Sequence, residues 1–189
     1  MIGKLDDSLI NKSIYKMNFK LRPFREDDLD QLVLLGNNFE IAKNLTDKFP
    51  HPYTKNNGEF FINLQMSQTP AQVKVIEIDG KFAGAVGLHF HEDVRRKSLE
   101  IGYWLGEPHW GNGIMPQAVK QMIKYSFETF DANRIFARIF GENNGSRRVL
   151  EKVGFRKEGH CKDAVFKNGA FQDELIFAIL KKDFLNSIK

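Results

Sequence analysis

The stretch "YWLGEPHWGNGIMPQAVKQMIKYSF", Tyr103–Phe127, sets two glycines, Gly111 and Gly113, directly ahead of a helical pattern. From Ile114 onward the apolar residues Ile114, Met115, Ala118, Val119, Met122, Ile123 and Phe127 keep the spacing of one helix face. Such a junction is a simple turn, or it is a loop stripped of side chains so that its backbone can approach an anion. The first amides of a helix have no partner within it, and the helix dipole favours negative charge there. Pro116 suits the first turn, where its missing N–H is not needed. No Asp or Glu occurs from Pro108 to Val119, which leaves that helix end free of the acids that ordinary helices often carry. Taken alone, the loop remains a turn. It is not a P-loop, since the Gly-x-x-x-x-Gly-Lys order is absent, and it lacks the third glycine of a dinucleotide fingerprint.

Upstream, "KSLEIGYWL" alternates as a strand, with Leu99, Ile101, Tyr103 and Leu105 on one side and Glu100, Gly102 and Trp104 on the other. Before it, "QVKVIEIDGKFAGAVGLHF" is a hairpin turning at Asp79-Gly80, a dipeptide suited to a tight primed turn. "FKLRPF" is a first strand. "REDDLDQLVLLGNNFEIAKNL" is an amphipathic helix broken near Gly36 and resumed, and "KNNGEFFINLQMS" is a further helix with Phe60, Phe61 and Leu64 on its apolar side. Downstream, "NRIFARIF" is a strand and "NNGSRRVLEKVGF" a helix stopped by Gly154. "FRKEGH" and "FQDELIFAIL" close the chain as strands. The order is a strand, two or three helices, three strands, helix, strand, helix and two strands, a mixed α+β class with no regular βαβ repeat.

At 189 residues the chain is read as one domain, 19–189, behind an N-terminal extension, 1–18. One cysteine, Cys161, cannot form an internal disulfide, and with scattered histidines it builds no zinc site, so no metal is expected. No apolar run reaches the ~20 residues needed to span a bilayer. The first residues have acids early and no continuous apolar centre, unlike a signal peptide, and a cytoplasmic location is expected. With 28 basic residues against 24 acidic ones, the charges are dispersed and the aromatics are not interleaved with arginines, which argues against nucleic-acid binding.

Together, "LEIGYWL", "WGNGIMP" and "NNGSRRVLEKVGF" resemble the GNAT acetyltransferases, in particular their RimJ/RimL-like branch of amine N-acetyltransferases. The likeness runs from about Phe19 to Leu180 and is most specific from Glu100 to Phe155. It implies a mostly antiparallel sheet of about seven strands, flanked by helices and splayed between the fourth and fifth. It also implies acetyl-CoA as co-substrate. In the family's loop, Arg/Gln-x-x-Gly-x-Gly/Ala, Trp110 stands at the first position, Gly113 at the central glycine and Met115 at the last, so two of three depart from the pattern. The pyrophosphate is expected on Asn112, Gly113, Ile114 and Met115, with Gly111 shaping the loop. The pantetheine arm is expected along the backbone of Tyr103, Trp104 and Leu105, where the amide of Trp104 or Leu105 faces the thioester oxygen.

Asn143 matches the asparagine that faces the pantetheine, and Asn is equally a helix cap. Direct attack by an amine needs a proton acceptor and a proton for the leaving thiolate. Glu100 is the expected base, with His89 and His91 as weaker candidates. The family's usual tyrosine acid is replaced by Leu150, and Ser146 is the substitute acid. One substrate wall is expected from "FPHPYT" and "FFINLQ" and another near Asp173, although Asp173 is better read as tying a strand to a loop. The expected acceptor is a small-molecule amine or a peptide N-terminus, without membrane or nucleic acid, and a homodimer is left open. Alternatives are a different acyl-CoA, or a catalytically weak CoA-binding or regulatory module.

Overall fold

A computed structural model describes residues 18–187, so all but the last residue of the expected N-terminal extension lies outside the described residues. The strands are β1 (Phe19–Arg22), β2 (Val73–Ile78), β3 (Lys81–His89), β4 (Ser98–Leu105), β5 (Arg134–Phe140), β6 (Arg156–Lys167) and β7 (Ala170–Leu180). They form one sheet in the order β1-β2-β3-β4-β5-β7-β6. Every neighbouring pair is antiparallel except β4 and β5. The helices are α1 (Leu29–Gly36), α2 (Phe39–Ala42), α3 (Lys55–Met66), α4 (Ile114–Thr129), α5 (Asn144–Val153) and α6 (Lys181–Ser187).

Alternation along the strands sends side chains to two apolar layers. On β3, Ala83, Val86 and Leu88 join Leu99, Ile101 and Leu105 of β4 beneath α4. Phe82 and Ala85 turn to the opposite face and meet Phe24, Leu32, Tyr53 and Ile62 beneath α1 and α3. The expected stripe of α4 is the buried one, from Ile114 to Phe127. Asp79 and Gly80 both have positive φ, 48° and 78°, as a type I′ turn requires.

The expected apolar side of α3 is corrected. Of the three expected residues Phe61 packs on the core, edge-on to Phe24 with ring centres 5.4 Å apart, whereas Phe60 and Leu64 are exposed and the buried positions are Gly58, Ile62 and Gln65. Gly58 lies at the close contact of α1 and α3, where a Cβ would stand 2.7 Å from Leu29 Cδ1 and 3.1 Å from Val33 Cγ2. Helix α6 was not expected, and it is held by Phe184, buried against Phe127 with ring centres 5.8 Å apart. The strand read at "FRKEGH" runs on through Lys167.

Edge strand β1 is fastened by charge. Arg22 is buried and reaches Asp28 with both terminal nitrogens, at 2.8 and 2.5 Å, and Glu77 through Nε. Buried guanidinium and carboxylate groups are tolerated only when paired in this way. The hydrogen bond from Lys20, then that from Arg22, holds the Glu77 carboxyl at about 2 against an ordinary 4.5. A depressed carboxylate contributes stability above the unfolded-state value and loses it as pH falls toward the folded one. Stability is therefore expected to drop between about pH 4.5 and pH 2, and Glu77→Gln is expected to flatten that part of the curve in denaturant melts.

Among the described residues no helix is long and apolar enough to cross a membrane. Nor does any group of three or more His, Cys, Asp or Glu stand placed to hold a metal ion.

Candidate active site

Strands β4 and β5 pair only from Ser98 to Glu100, opposite Arg134 to Phe136. Beyond Glu100 they part, and the opening leads to the N-terminus of α4. There Gly113 adopts φ 70° as the residue before the helix, and Gly111 adopts φ 78°. The first turn carries no acid, and a Cβ at either glycine would meet nothing within 4 Å. Left-handed backbone, not crowding, selects glycine here. The side chains of Ile114 and Met115 are buried in the core, so these residues offer the opening only their backbone amides. Asn112 folds back, its Nδ2 donating to the carbonyls of His109 and Trp110.

Trp110, unorthodox in sequence, is a strut. Its indole Nε1 donates to the Leu105 carbonyl at 2.7 Å and ties the loop to the end of β4. The next residue's backbone bond fixes the parity of the strand. The Gly106 amide donates to Ala83 on β3, and backbone groups alternate sides along an antiparallel strand. The amides of Trp104 and Gly102 therefore face β3, whereas those of Tyr103 and Leu105 face the opening. The expectation that the Trp104 amide faces a thioester is corrected on this ground. The indole of Trp104 packs between Phe49 and Phe82, at 5.5 and 5.6 Å, and is part of the cleft wall.

Asn143 caps α5, its Oδ1 accepting from the Ser146 amide at 3.0 Å, and it also lines the cleft. The Ser146 hydroxyl lies 2.7 Å from the Tyr103 hydroxyl. This contact joins α5 to β4 across the cleft. Burial pushes the Tyr103 phenol well above its usual range, and the bond to Ser146 works against that rise. The phenol thus stays protonated. Leu150, where the resemblance expects a tyrosine, is fully buried in the core and presents nothing to the cleft.

The cleft is about 590 Å³, within the roughly 300–1,000 Å³ of small-molecule sites. It contains Tyr103, Trp104, Leu105, Gly111, Gly113 and Ser146 on its walls. The sequence reading missed its other wall, Ile41, Asn44 and Leu45 from α2 and the turn after it. It also missed Arg148 and Lys152, one turn apart on α5 and without a salt bridge among the described residues. Their spacing in "SRRVLEK" was the available signal, since residues four apart share a helix face.

Glu100 does not line the cleft. It lies at the foot of the opening, half-buried, on the sheet face opposite Tyr103. His91 Nε2 stands 3.6 Å from its Oε2, and His89 lies across from it on β3. Asp173 is a tie, as expected: its carboxylate meets His160 Nε2 at 2.5 Å and accepts from the Asp163 amide at 3.0 Å. Those bonds, that to His160 first, lower its carboxyl below the ordinary value.

Residues 18–156 match the family described as acetyltransferase (GNAT) domain. The chain is 36% identical over 106 residues to the putative ribosomal N-acetyltransferase YdaF of Bacillus subtilis (strain 168). That match covers 56% of this chain and 57% of the relative, so the chain spans little more than half of it. Among solved structures, spermidine N-acetyltransferase from Vibrio cholerae in complex with CoA and spermine superposes with a TM-score of 0.76 at 26% identity. The overlap covers 89% of this chain and 98% of that one. RimJ of Mycobacterium smegmatis in complex with CoA-disulfide gives a TM-score of 0.75 at 26% identity, covering 87% and 82%.

Proposed function

The chain belongs to the GNAT acetyltransferases, a family of acetyl-CoA-dependent N-acetyltransferases, and from that premise we propose that its domain, residues 19–189, transfers an acetyl group from acetyl-CoA to a primary amine in a ternary complex. The observation that carries this reading is the continuity of three features in one cleft: the parted β4 and β5, the acid-free N-terminus of α4, and the Tyr103–Ser146 contact.

The pyrophosphate rests on the amides of Asn112, Gly113, Ile114 and Met115, with Gly111 setting the loop. The pantetheine arm follows β4, where Tyr103 and Leu105 offer amides and Asn143 stands opposite. Glu100 takes a proton from the acceptor ammonium, through water, because it lies beyond direct reach of the cleft. The free amine then attacks the thioester carbonyl. As the C–N bond forms, the oxyanion is held by amides of the parted strand. The C–S bond breaks, the thiolate takes the Ser146 hydroxyl proton, and the proton that the attacking nitrogen releases returns to Ser146 through water, while Tyr103 stays protonated and holds that hydroxyl in place.

The relatives include proteins named for ribosomal and for spermidine acetylation, which supports an amine acceptor and does not choose between protein and polyamine. A second reading, a CoA-binding module without turnover, is favoured by one observation, the loss of the usual acid to buried Leu150. Thiol release from acetyl-CoA against amino acids, polyamines, aminoglycosides and short peptides separates the two. Turnover with at least one amine is expected. CoA binding without turnover on any of them would favour the module, and no CoA binding would overturn both.

A further inference from the structure

A histidine, His91, stands at the foot of the opening. His91 follows β3 and lays its ring on Phe136 of β5, with centres 5.5 Å apart and planes inclined 30°. Its Nε2 is hidden from solvent and has no hydrogen-bond partner among the described residues. The group it does face is the Glu100 carboxylate, 3.6 Å away. A buried imidazole nitrogen left unpaired is costly, and a small rotation of the carboxylate brings this pair within hydrogen-bond range.

The surroundings leave Glu100 few other partners. His89, its cross-strand neighbour, turns its ring over Gly102, where Nε2 would stand 3.4 Å from a Cβ. From β5, the Arg134 and Arg138 guanidiniums lie over Phe136 at 4.7 and 5.5 Å. Arg134 is already taken by Glu158 at 2.5 Å and by Ser98 at 2.9 Å. Arg138 is exposed. His91 is thus the neighbour whose ring nitrogen stands 3.6 Å from the carboxylate, away from solvent and with no other partner among the described residues.

We propose that His91 is a positioning residue: its Nε2–H holds the Glu100 carboxylate at the foot of the parted strands, with one oxygen directed to the water that carries the acceptor's proton. The inference rests on the reading of Glu100 as the base. The hydrogen bond removes rotational freedom from a carboxylate on a half-buried strand, and preorganisation of that kind appears in kcat rather than in cofactor binding. The imidazole itself touches neither substrate nor cofactor.

The test uses two replacements of opposite character in the full chain, each also made in Glu100→Gln. His91→Phe keeps the ring packing on Phe136 and lacks the donor. His91→Gln keeps a donor and loses the ring. With the best amine of the panel and saturating acetyl-CoA, His91→Phe is expected to lower kcat about tenfold at unchanged KM for acetyl-CoA, and His91→Gln to retain at least half of it. In the Glu100→Gln background, His91→Phe is expected to change the rate less than twofold. A purely packing role predicts the reverse order, with Phe harmless and Gln damaging, and that result would overturn the proposal. So would an equal loss from His91→Phe in both backgrounds. If Glu100→Gln alone is as fast as the parent, the base reading fails by itself and takes this inference with it, an outcome distinct from either of the others.

Discussion

Gly113→Val is expected to raise the Kd for acetyl-CoA about 100-fold in isothermal titration, which corresponds to about 2.7 kcal/mol. Two effects add. Gly113 sits at φ 70°, where a β-branched residue is strained by roughly 1–2 kcal/mol. Relief of that strain turns the loop away and withdraws the amides of Gly113, Ile114 and Met115 from the position proposed for pyrophosphate. No neighbour would clash with the new Cβ, so the fold is expected to survive, with a melting temperature within a few degrees of the parent. A Kd within threefold of the parent would remove this loop from the cofactor site. Gly113→Asn is the useful control, because asparagine tolerates the left-handed region better than valine. It is expected to bind acetyl-CoA between the two.

Glu100→Gln is expected to cut kcat by about 100-fold, at the lower end of the roughly 10²–10⁴ that general acid–base groups supply. The lower end is chosen because Glu100 acts through water from outside the cleft, and bulk water can replace part of such a path. The KM for acetyl-CoA is expected to hold, since the carboxylate touches neither the α4 loop nor the cleft walls. Steady-state thiol release at several amine concentrations reads both parameters. Full turnover at every pH would remove Glu100 from the reaction.

Some of this was plain in the order of residues. The α4 stripe, the Asp79-Gly80 turn and the Gly154 stop depend on neighbours a few positions away, and the structure reproduces each. The α3 face was misread for the same reason. Phe60 and Leu64 look apolar locally, but the face that α3 turns to α1 runs through Gly58, Ile62 and Gln65 and leaves them exposed. Trp110 looked like a defect in the phosphate loop, and its indole bond to Leu105 is what braces that loop.

The sequence by itself determined the α+β order, the strand–glycine–helix junction and a resemblance specific enough to name acetyl-CoA. These are local matters, governed by side-chain period, φ preference and helix ends. The resemblance implied that β4 and β5 splay; only the tertiary structure decided that they part just after Glu100, that Tyr103 and Leu105 rather than Trp104 turn their amides to the gap, and that α2 forms the far wall. It alone set the Glu100 carboxylate beside His91, nine positions earlier in the chain. Strand pairing fixes which side of the backbone is already spent, and packing across the sheet fixes which charges meet. Both are sums over distant residues that no short window of sequence contains.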